Sequence, residues 1–391
     1  MKFNIDYAVK SCSKNNDRVC GDTTRHVETD DMDIYVLSDG IGSGVRANIL
    51  STVTTTLFST MLQTGSSVDD CITEISRMLA MDASNRIAYS TFVLLTISRN
   101  GRAKLTEYDS PKTLFYRDGK LLDVNYTCRE VAGMKIREYN FVVHVNDCFV
   151  LMSDGVTHAG MPDVYPFGWG RTRVAEYVSQ LIQNNGNVCM RIATAVIGQC
   201  REIYRQVPGD DATAMVVSVG KDQRLNILTG PPSRDELYEQ FIHDFIGQSG
   251  LHVIAGGTSA CIASRVLNRQ LKVSLDYMDP DIPPVAQMEG IDLVIEGILT
   301  LNRTLKFLLR YNQGEHNRVF YKELDSKDGA ARLAKMIIEQ CVSVSLFVGK
   351  TVNTAYQPKE LPLELGIRMQ LVARIAHECR KMGKRVEVKY Y

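Results

Sequence analysis

No run of about 18 consecutive apolar residues occurs in this 391-residue sequence, so a transmembrane helix is not expected, nor a membrane partner. The opening residues, MKFNIDYAVKSCSKNND, lack an apolar core behind a basic flank, the pattern of a secretory signal, and a cytoplasmic protein is expected. Neither sign of charge is in surplus, with Lys+Arg and Asp+Glu each at 45. Binding by phosphate neutralisation needs a basic face, and no stretch is strongly basic, so nucleic acid is not an expected partner. The ten cysteines include no C-x-x-C pair, which offers neither a zinc site nor a dense disulfide framework. Buried, reduced thiols are the expectation. Internal repeats and low-complexity segments are also lacking. What remains is an ordinary folded composition, 45% hydrophobic and 23% charged, at a length that suggests two or three domains.

The apolar runs that do occur are short. Residues 33–37 (DIYVL), 92–97 (FVLLTI), 148–152 (CFVLM) and 214–219 (AMVVSV) read as strands. Asn100-Gly101 joins 92–97 to 104–108, and Asp118-Gly119 joins 114–116 to 121–124, two hairpin signals. Apolar residues at helical intervals mark 45–62, 173–183 and 188–206. Hairpins with helices grouped between them predict an α+β fold of antiparallel sheets covered by helices. The turn-rich stretch 220–233 (GKDQRLNILTGPPS) reads as a boundary between domains over 1–221 and 234–391. Beyond it, strands at 253–255, 292–295, 342–348 and 385–390 alternate with helices ending at 267 and over 299–310, 329–341 and 364–382. That rhythm predicts a smaller α/β, Rossmann-like domain with a mostly parallel sheet.

Aspartates recur at strand ends in the first half. They stand in VLSDGIGSG (Asp39), LMSDGVTHAG (Asp154) and PGDDATAMVV (Asp210, Asp211), with Asp22 ahead of them in RVCGDT. A carboxylate at a strand end projects from a rigid platform, and a glycine after it lets backbone and ligand approach closely. Converging carboxylates repel one another unless cations lie between them. Hard oxygen donors favour Mg²⁺ or Mn²⁺. One Ser-Asp-Gly by itself is usually a turn. Two copies and a strand-edge Asp-Asp argue for a site.

The order GD, SDGxGSG, SDGxTHAG, GDDAT resembles the metal-dependent type 2C protein phosphatases, and within them the branch typified by the stage II sporulation protein E phosphatase domain. The resemblance covers about residues 1–220 and implies an αββα sandwich holding two Mn²⁺ or Mg²⁺ ions at one end of its packed sheets. It implies that Asp39 bridges both ions, that Asp22 and the Gly40 carbonyl complete one ligand set, and that Asp154 and Asp210 serve the other. Asp211 matches a position commonly Asn in the wider family and is expected beside a metal-bound water. Arg18, four residues before Asp22, matches the place of a phosphate-binding arginine, with a solvated surface arginine as the alternative. Thr91 matches a small polar residue near the site, where a buried, satisfied hydroxyl is expected. The wider family often has histidine after the bridging Asp-Gly as leaving-group acid; here that residue is Ile41, and water or another residue such as His158 must serve. The chemistry implied is two-metal activation of water against a phosphoryl group. The activity implied is a serine/threonine protein phosphatase acting on a phosphorylated protein, with an anti-sigma-factor antagonist among the candidates. A catalytically weak phosphoprotein-binding module and a phosphatase of small phosphomonoesters are the alternatives. A silent binding module is expected to have lost a ligand, and all four aspartates are present.

Strings in the second half such as VIAGGTSACIASRVL and LPLELGIRMQLVARIA resemble a carboxy-terminal extension of some bacterial phosphatases of this branch, which implies architecture only. Gly256, Gly257, Thr258 and Ser259 stand between a strand and a helix start, where N–H groups and hydroxyls could cradle an anion. A tight turn with a hydroxyl cap is the alternative. Neither a Walker A loop nor a dinucleotide fingerprint is present. Glu296-Gly297 closes the 292–295 strand, at the kind of strand end where α/β sheets bind ligands. Regulation by a small anionic molecule is the expectation for this half, and a homodimer is the assembly considered.

Overall fold

The computed structural model describes residues 3–79, 90–273, 285–350 and 361–391, in two compact units, Met1–Lys221 and Asp222–Tyr391. The first unit begins with β1 (Phe3–Cys12), β2 (Asp22–Glu28), β3 (Met32–Gly40), α1 (Gly44–Gln63) and α2 (Val68–Leu79). It continues through β4 (Ser90–Ser98), β5 (Arg102–Tyr108), β6 (Leu114–Arg117), β7 (Lys120–Leu122), β8 (Thr127–Val131) and β9 (Met134–Val142). It ends with β10 (Asp147–Met152), α3 (Asp154–Thr157), α4 (Arg171–Asn185), α5 (Cys189–Ile203) and β11 (Ala212–Lys221). Two sheets form, in the orders β1-β11-β10-β6-β7 and β2-β3-β4-β5-β9-β8. Their strand pairs are antiparallel.

The apolar runs in the sequence follow from this layering. Successive side chains of a strand point to opposite faces of its sheet. In β3, Ile34 and Val36 pack with Phe58 of α1 and Ile72 of α2, whereas Tyr35 and Leu37 enter the core between the sheets. In β10, Phe149 and Leu151 share that inter-sheet core, whereas Cys148, Val150 and Met152 pack with Val178 of α4 and Val196 of α5. A strand covered on both faces needs apolar residues at every position, so its sequence shows no alternation. Full burial of a side chain such as Phe149 contributes roughly 1.5–3 kcal/mol. The layers are helix, sheet, sheet, helix: the αββα sandwich that the motif order implies.

Strands β1, β2, β8 and β9 were not marked by apolar runs. In β9 the disguise is electrostatic, because Arg137 lies opposite Glu107 of β5 and its Nε donates to Glu107 Oε2 at 2.9 Å. Glu107 is fully buried and also accepts from Thr113 N and the Tyr139 hydroxyl, which satisfies its charge. The edge strand β2, DTTRHVE, is polar.

The second unit runs β12 (Arg224–Thr229), α6 (Tyr238–Ile246), β13 (Leu251–Ala255), α7 (Gly257–Leu267), β14 (Lys272–Val273), β15 (Ala286–Met288) and β16 (Ile291–Ile295). It continues with α8 (Ile298–Asn312), α9 (Arg318–Leu324), α10 (Gly329–Lys335), β17 (Ser343–Val348), α11 (Leu361–Lys381) and β18 (Arg385–Tyr390). One sheet has the order β14-β15-β16-β13-β12-β17-β18, parallel from β16 to β18 with an antiparallel edge. Residues of α6 and α7 cover one face, and residues of α8, α10 and α11 the other. The stretch 220–233, read from its turn residues as a connection, contains β12, which lies between β13 and β17. The helical pattern over 329–341 resolves into α10 and a π-helical turn, Met336–Gln340. Among the described residues no helix is long and apolar enough to cross a membrane.

Candidate active site

Register brings the first carboxylates together. Pairing of β2 with β3 sets Asp22 opposite Asp39, and pairing of β3 with β4 sets Thr91 opposite Asp39. A slip of one residue would turn Asp39 to the other face of the sheet. The second sheet delivers the rest: Asp154 opens α3 just past the end of β10, and Asp210 and Asp211 precede β11. Asp39, Gly40, Ile41, Thr91, Asp154, His158, Phe167, Arg171 and Asp210 line one cleft of about 610 Å³.

The two sheets are tied together here. Ser153 Oγ donates to Asp22 Oδ2 at 2.8 Å and accepts from Thr213 N at 2.9 Å. Asp211 is held by Lys14 N, which donates to its Oδ1 at 3.0 Å, and Asp211 N donates to Asp210 Oδ1 at 3.0 Å. The glycine after each Ser-Asp is required by close backbone approach. A Cβ on Gly40 would lie 2.0 Å from Ala47 O, and one on Gly155 would lie 2.1 Å from Asp211 O.

Burial, above all, drives the Asp39 carboxyl far above the usual carboxylate range, reinforced by the charges of Asp22 and Asp154 and a hydrogen bond with Asp154. Asp22 is raised by burial, against hydrogen bonds from Thr213 and Ser153, with Asp211 and Asp154 adding to the rise. Asp210 is raised by burial and then by Asp154, partly offset by Lys14, whose Nζ lies 4.0 Å from its Oδ1. Asp22 Oδ1 and Asp211 Oδ2 are buried with no hydrogen-bond partner among the described residues. As these side chains stand, no three His, Cys, Asp or Glu groups among the described residues close on a single metal position. The donor chemistry nevertheless fits hard divalent cations, since crowded carboxylates with buried oxygens unpartnered among the described residues need more positive charge than Lys14 supplies.

The structure brings Asp39, Gly40, Asp154, Asp210 and Thr91 to the cleft, with Asp22 and Asp211 buried behind its lining. Thr91 is half-buried and lines the cleft, where a buried hydroxyl had been expected. Arg18 is exposed and outside the lining. His158 lines the cleft with Nδ1 3.7 Å from Asp154 Oδ2. Sequence reasoning missed Ser153, Lys14, Phe167 and Arg171. The repeated Ser before Asp-Gly could have pointed to Ser153, whereas nothing in the sequence marks Arg171. At the start of α4, Arg171 Nε donates to Lys112 O at 3.1 Å, and it makes no ion pair among the described residues.

Residues 30–220 match the family model described as Stage II sporulation protein E (SpoIIE). The match lies wholly within the first unit, which is thus similar to the family that the motif order resembles. Arg18 and Asp22 lie ahead of the matched residues, and the match stops short of the second unit. Among solved structures, the phosphatase domain of the cell fate determinant SpoIIE from Bacillus subtilis is 18% identical, covering 57% of this chain and 95% of that one at a TM-score of 0.45. The SiaA-PP2C domain of Pseudomonas aeruginosa is 16% identical, covering 55% of this chain and 86% of its own at 0.46. RsbX, solved in complex with magnesium, is 16% identical, covering 55% of this chain and 96% of its own at 0.40. No curated protein matches the chain.

Proposed function

We propose that the first unit is a metal-dependent protein phosphatase that hydrolyses phosphoserine or phosphothreonine in a phosphorylated protein, under regulation by the second unit. The observation that carries this reading is the convergence of Asp22, Asp39, Asp154 and Asp210 at the ends of two antiparallel sheets, beside buried carboxylate oxygens that have no donor among the described residues. Asp22, Asp39, the Gly40 carbonyl, Asp154 and Asp210 would hold two Mn²⁺ or Mg²⁺ ions, which supply charge neutralisation at phosphoryl oxygens and acidify the attacking water. Ser153 fixes one oxygen of Asp22, leaving the other as a ligand. Lys14 fixes Asp211, and Asp211 in turn orients Asp210 through its backbone N–H. Arg171 lines the same cleft and makes no ion pair among the described residues, its Nε and Nη2 donating to the Lys112 and Thr113 carbonyls, which suits the positioned guanidinium to hold phosphate. Arg18 stands as a second, solvent-side candidate for that role.

A protein substrate is favoured by the rim. Phe167 is 89% exposed and Ile41 55% exposed, and both line the cleft. An apolar rim around a charged centre suits contact with a protein surface, and a small phosphomonoester makes little use of it. Anti-sigma-factor antagonists are candidate substrates, and the cytoplasm is the proposed location. Regulation requires that a second-unit ligand bind active and inactive forms with different affinities.

The test is substitution of ligands from each sheet. Asp39→Asn and Asp154→Asn should each slow hydrolysis of a phosphoserine peptide by at least ~100-fold, with an unchanged circular dichroism spectrum. Near-normal turnover of either variant at saturating Mn²⁺ would contradict its assignment as a ligand.

A further inference from the structure

The second unit carries a cluster of unpartnered polar groups that the phosphatase reading does not use. Parallel neighbours β13 and β16 pair Ala255 with Ile295, and each strand leads within two residues into a helix, α7 and α8. The residues ahead of these helices, Gly256 and Gly297, are packed together. A Cβ on Gly297 would stand 3.6 Å from Gly256 Cα, and Gly256 N donates to Ile295 O at 2.9 Å. Helices of 11 and 15 residues thus begin side by side, and in neither does a side chain at the N-cap bond to the first turn. Their orphan N–H groups and the positive ends of both dipoles converge at the carboxyl ends of two strands, where open α/β sheets bind ligands.

A second, independent observation points to a ligand. Ser259 is 1% exposed and Thr300 0% exposed, and neither Ser259 Oγ nor Thr300 Oγ1 has a partner among the described residues. Both residues lie in the first turns of these helices. Ser259 Oγ faces the glycine turn, 3.4 Å from where Gly256 would carry a Cβ. Glu296, between the end of β16 and Gly297, likewise has a buried Oε2 without a partner among the described residues. Buried polar atoms are nearly always satisfied, and these three, in adjoining turns, have no partner among the described residues.

The chemistry of that partner follows from the mixture. An anion alone would satisfy the helix starts and leave Glu296 unpaired, whereas a cation alone would be opposed by both dipoles. A ligand with an anionic group beside hydroxyl donors satisfies all of them. Phosphate, with three terminal acceptor oxygens, can draw on both helix starts and on Ser259. We propose that this crevice binds a phosphorylated sugar, free or within a nucleotide, with its phosphate at the starts of α7 and α8 and its hydroxyls donating to Glu296.

The full chain is tested by isothermal titration calorimetry in excess chelator, so that neither metal nor turnover at the first unit enters and the outcome is separate from the phosphatase reading. The probes are ribose 5-phosphate, AMP, inorganic phosphate and ribose. Ribose 5-phosphate or AMP should bind one to one and at least ~10-fold more tightly than inorganic phosphate or ribose. Tighter binding of AMP identifies a nucleotide, and equal binding identifies the sugar phosphate. Gly257→Glu sets a carboxylate at the first turn of α7, where a Cβ meets nothing within 4 Å and a negative charge favours the helix. This variant should keep its melting temperature and lose at least ~10-fold in affinity for ribose 5-phosphate. Glu296→Gln should weaken ribose 5-phosphate and leave inorganic phosphate unchanged. Failure of all the probes to bind at about 10 mM, or binding untouched by Gly257→Glu, overturns the proposal. An unchanged preference for ribose 5-phosphate over phosphate in Glu296→Gln overturns its hydroxyl half.

Discussion

Ser153 Oγ donates a 2.8 Å hydrogen bond to Asp22 Oδ2, joining the end of β10 in one sheet to the start of β2 in the other. The same oxygen accepts from Thr213 N, so one hydroxyl orients a metal-ligand candidate and satisfies a backbone donor at the head of β11. Substitution Ser153→Ala leaves two buried polar groups unsatisfied and frees Asp22 to rotate. Groups that orient a ligand are typically worth about 10–100-fold in metal affinity. Ser153→Ala should therefore raise the Mn²⁺ concentration for half-maximal activity about 10-fold, with kcat at saturating Mn²⁺ changed much less. An unchanged Mn²⁺ titration would separate Ser153 from the metal site.

The raised carboxyl groups make a prediction about pH. When folding lifts a carboxyl above its ordinary 3.8, the folded state holds a proton that the unfolded chain has released, so stability falls as pH rises through that window. The contribution is complete below the unfolded value and lost as pH passes the folded one. Metal-free protein should melt at progressively lower temperature as pH is raised from about 5 to about 8. Asp39→Asn, which has no proton to lose, should melt higher than the parent at about pH 8 and show a shallower slope. Saturating Mn²⁺ should flatten the parent's curve. Parallel curves for parent and variant without metal would mean that Asp39 is not under electrostatic stress.

Two arginines are candidates for holding the phosphate. Arg171 lines the cleft with no ion-pair partner among the described residues, whereas Arg18 is exposed and away from the lining. Arg171→Ala should raise KM for a phosphopeptide by about 10-fold while lowering kcat less, as expected for a group holding ground-state phosphate. Arg171→Lys should restore little, because a point charge does not reproduce the guanidinium fork. Arg18→Ala should have the smaller effect. The reverse ranking would return the clamp to Arg18, the position that the family resemblance implies.

What could be read in the sequence depended on how each segment is buried. Strands β3, β4, β10 and β11 are covered on both faces, so their apolar runs stand out. Strand β9 is not legible, because Arg137 enters it to neutralise the buried Glu107. Strand β12 lay hidden in a turn-rich stretch, since its center holds Asn226, fully buried and donating to the carbonyls of Ser249 and Leu251. The aspartates were legible because Ser-Asp-Gly occurs twice at strand ends and because close backbone approach demands each glycine. Arg171 was not, since an arginine at the start of a helix looks like any surface arginine until the fold sets it in the cleft that Asp154 also lines. In the second unit the Gly-Gly-Thr-Ser turn was visible, whereas its juxtaposition with Glu296 depends on the parallel pairing of β13 and β16.

The central claim is that paired divalent cations among these aspartates drive hydrolysis of a phosphorylated protein. Its most direct test is the rate of phosphate release from a phosphoserine peptide by the full chain, followed through chelation and readdition of metal, with bound metal measured at each step. The account predicts release with Mn²⁺ or Mg²⁺, loss of release once chelator strips the protein, and recovery on adding either ion back. Undiminished hydrolysis by protein shown to be free of metal would contradict it.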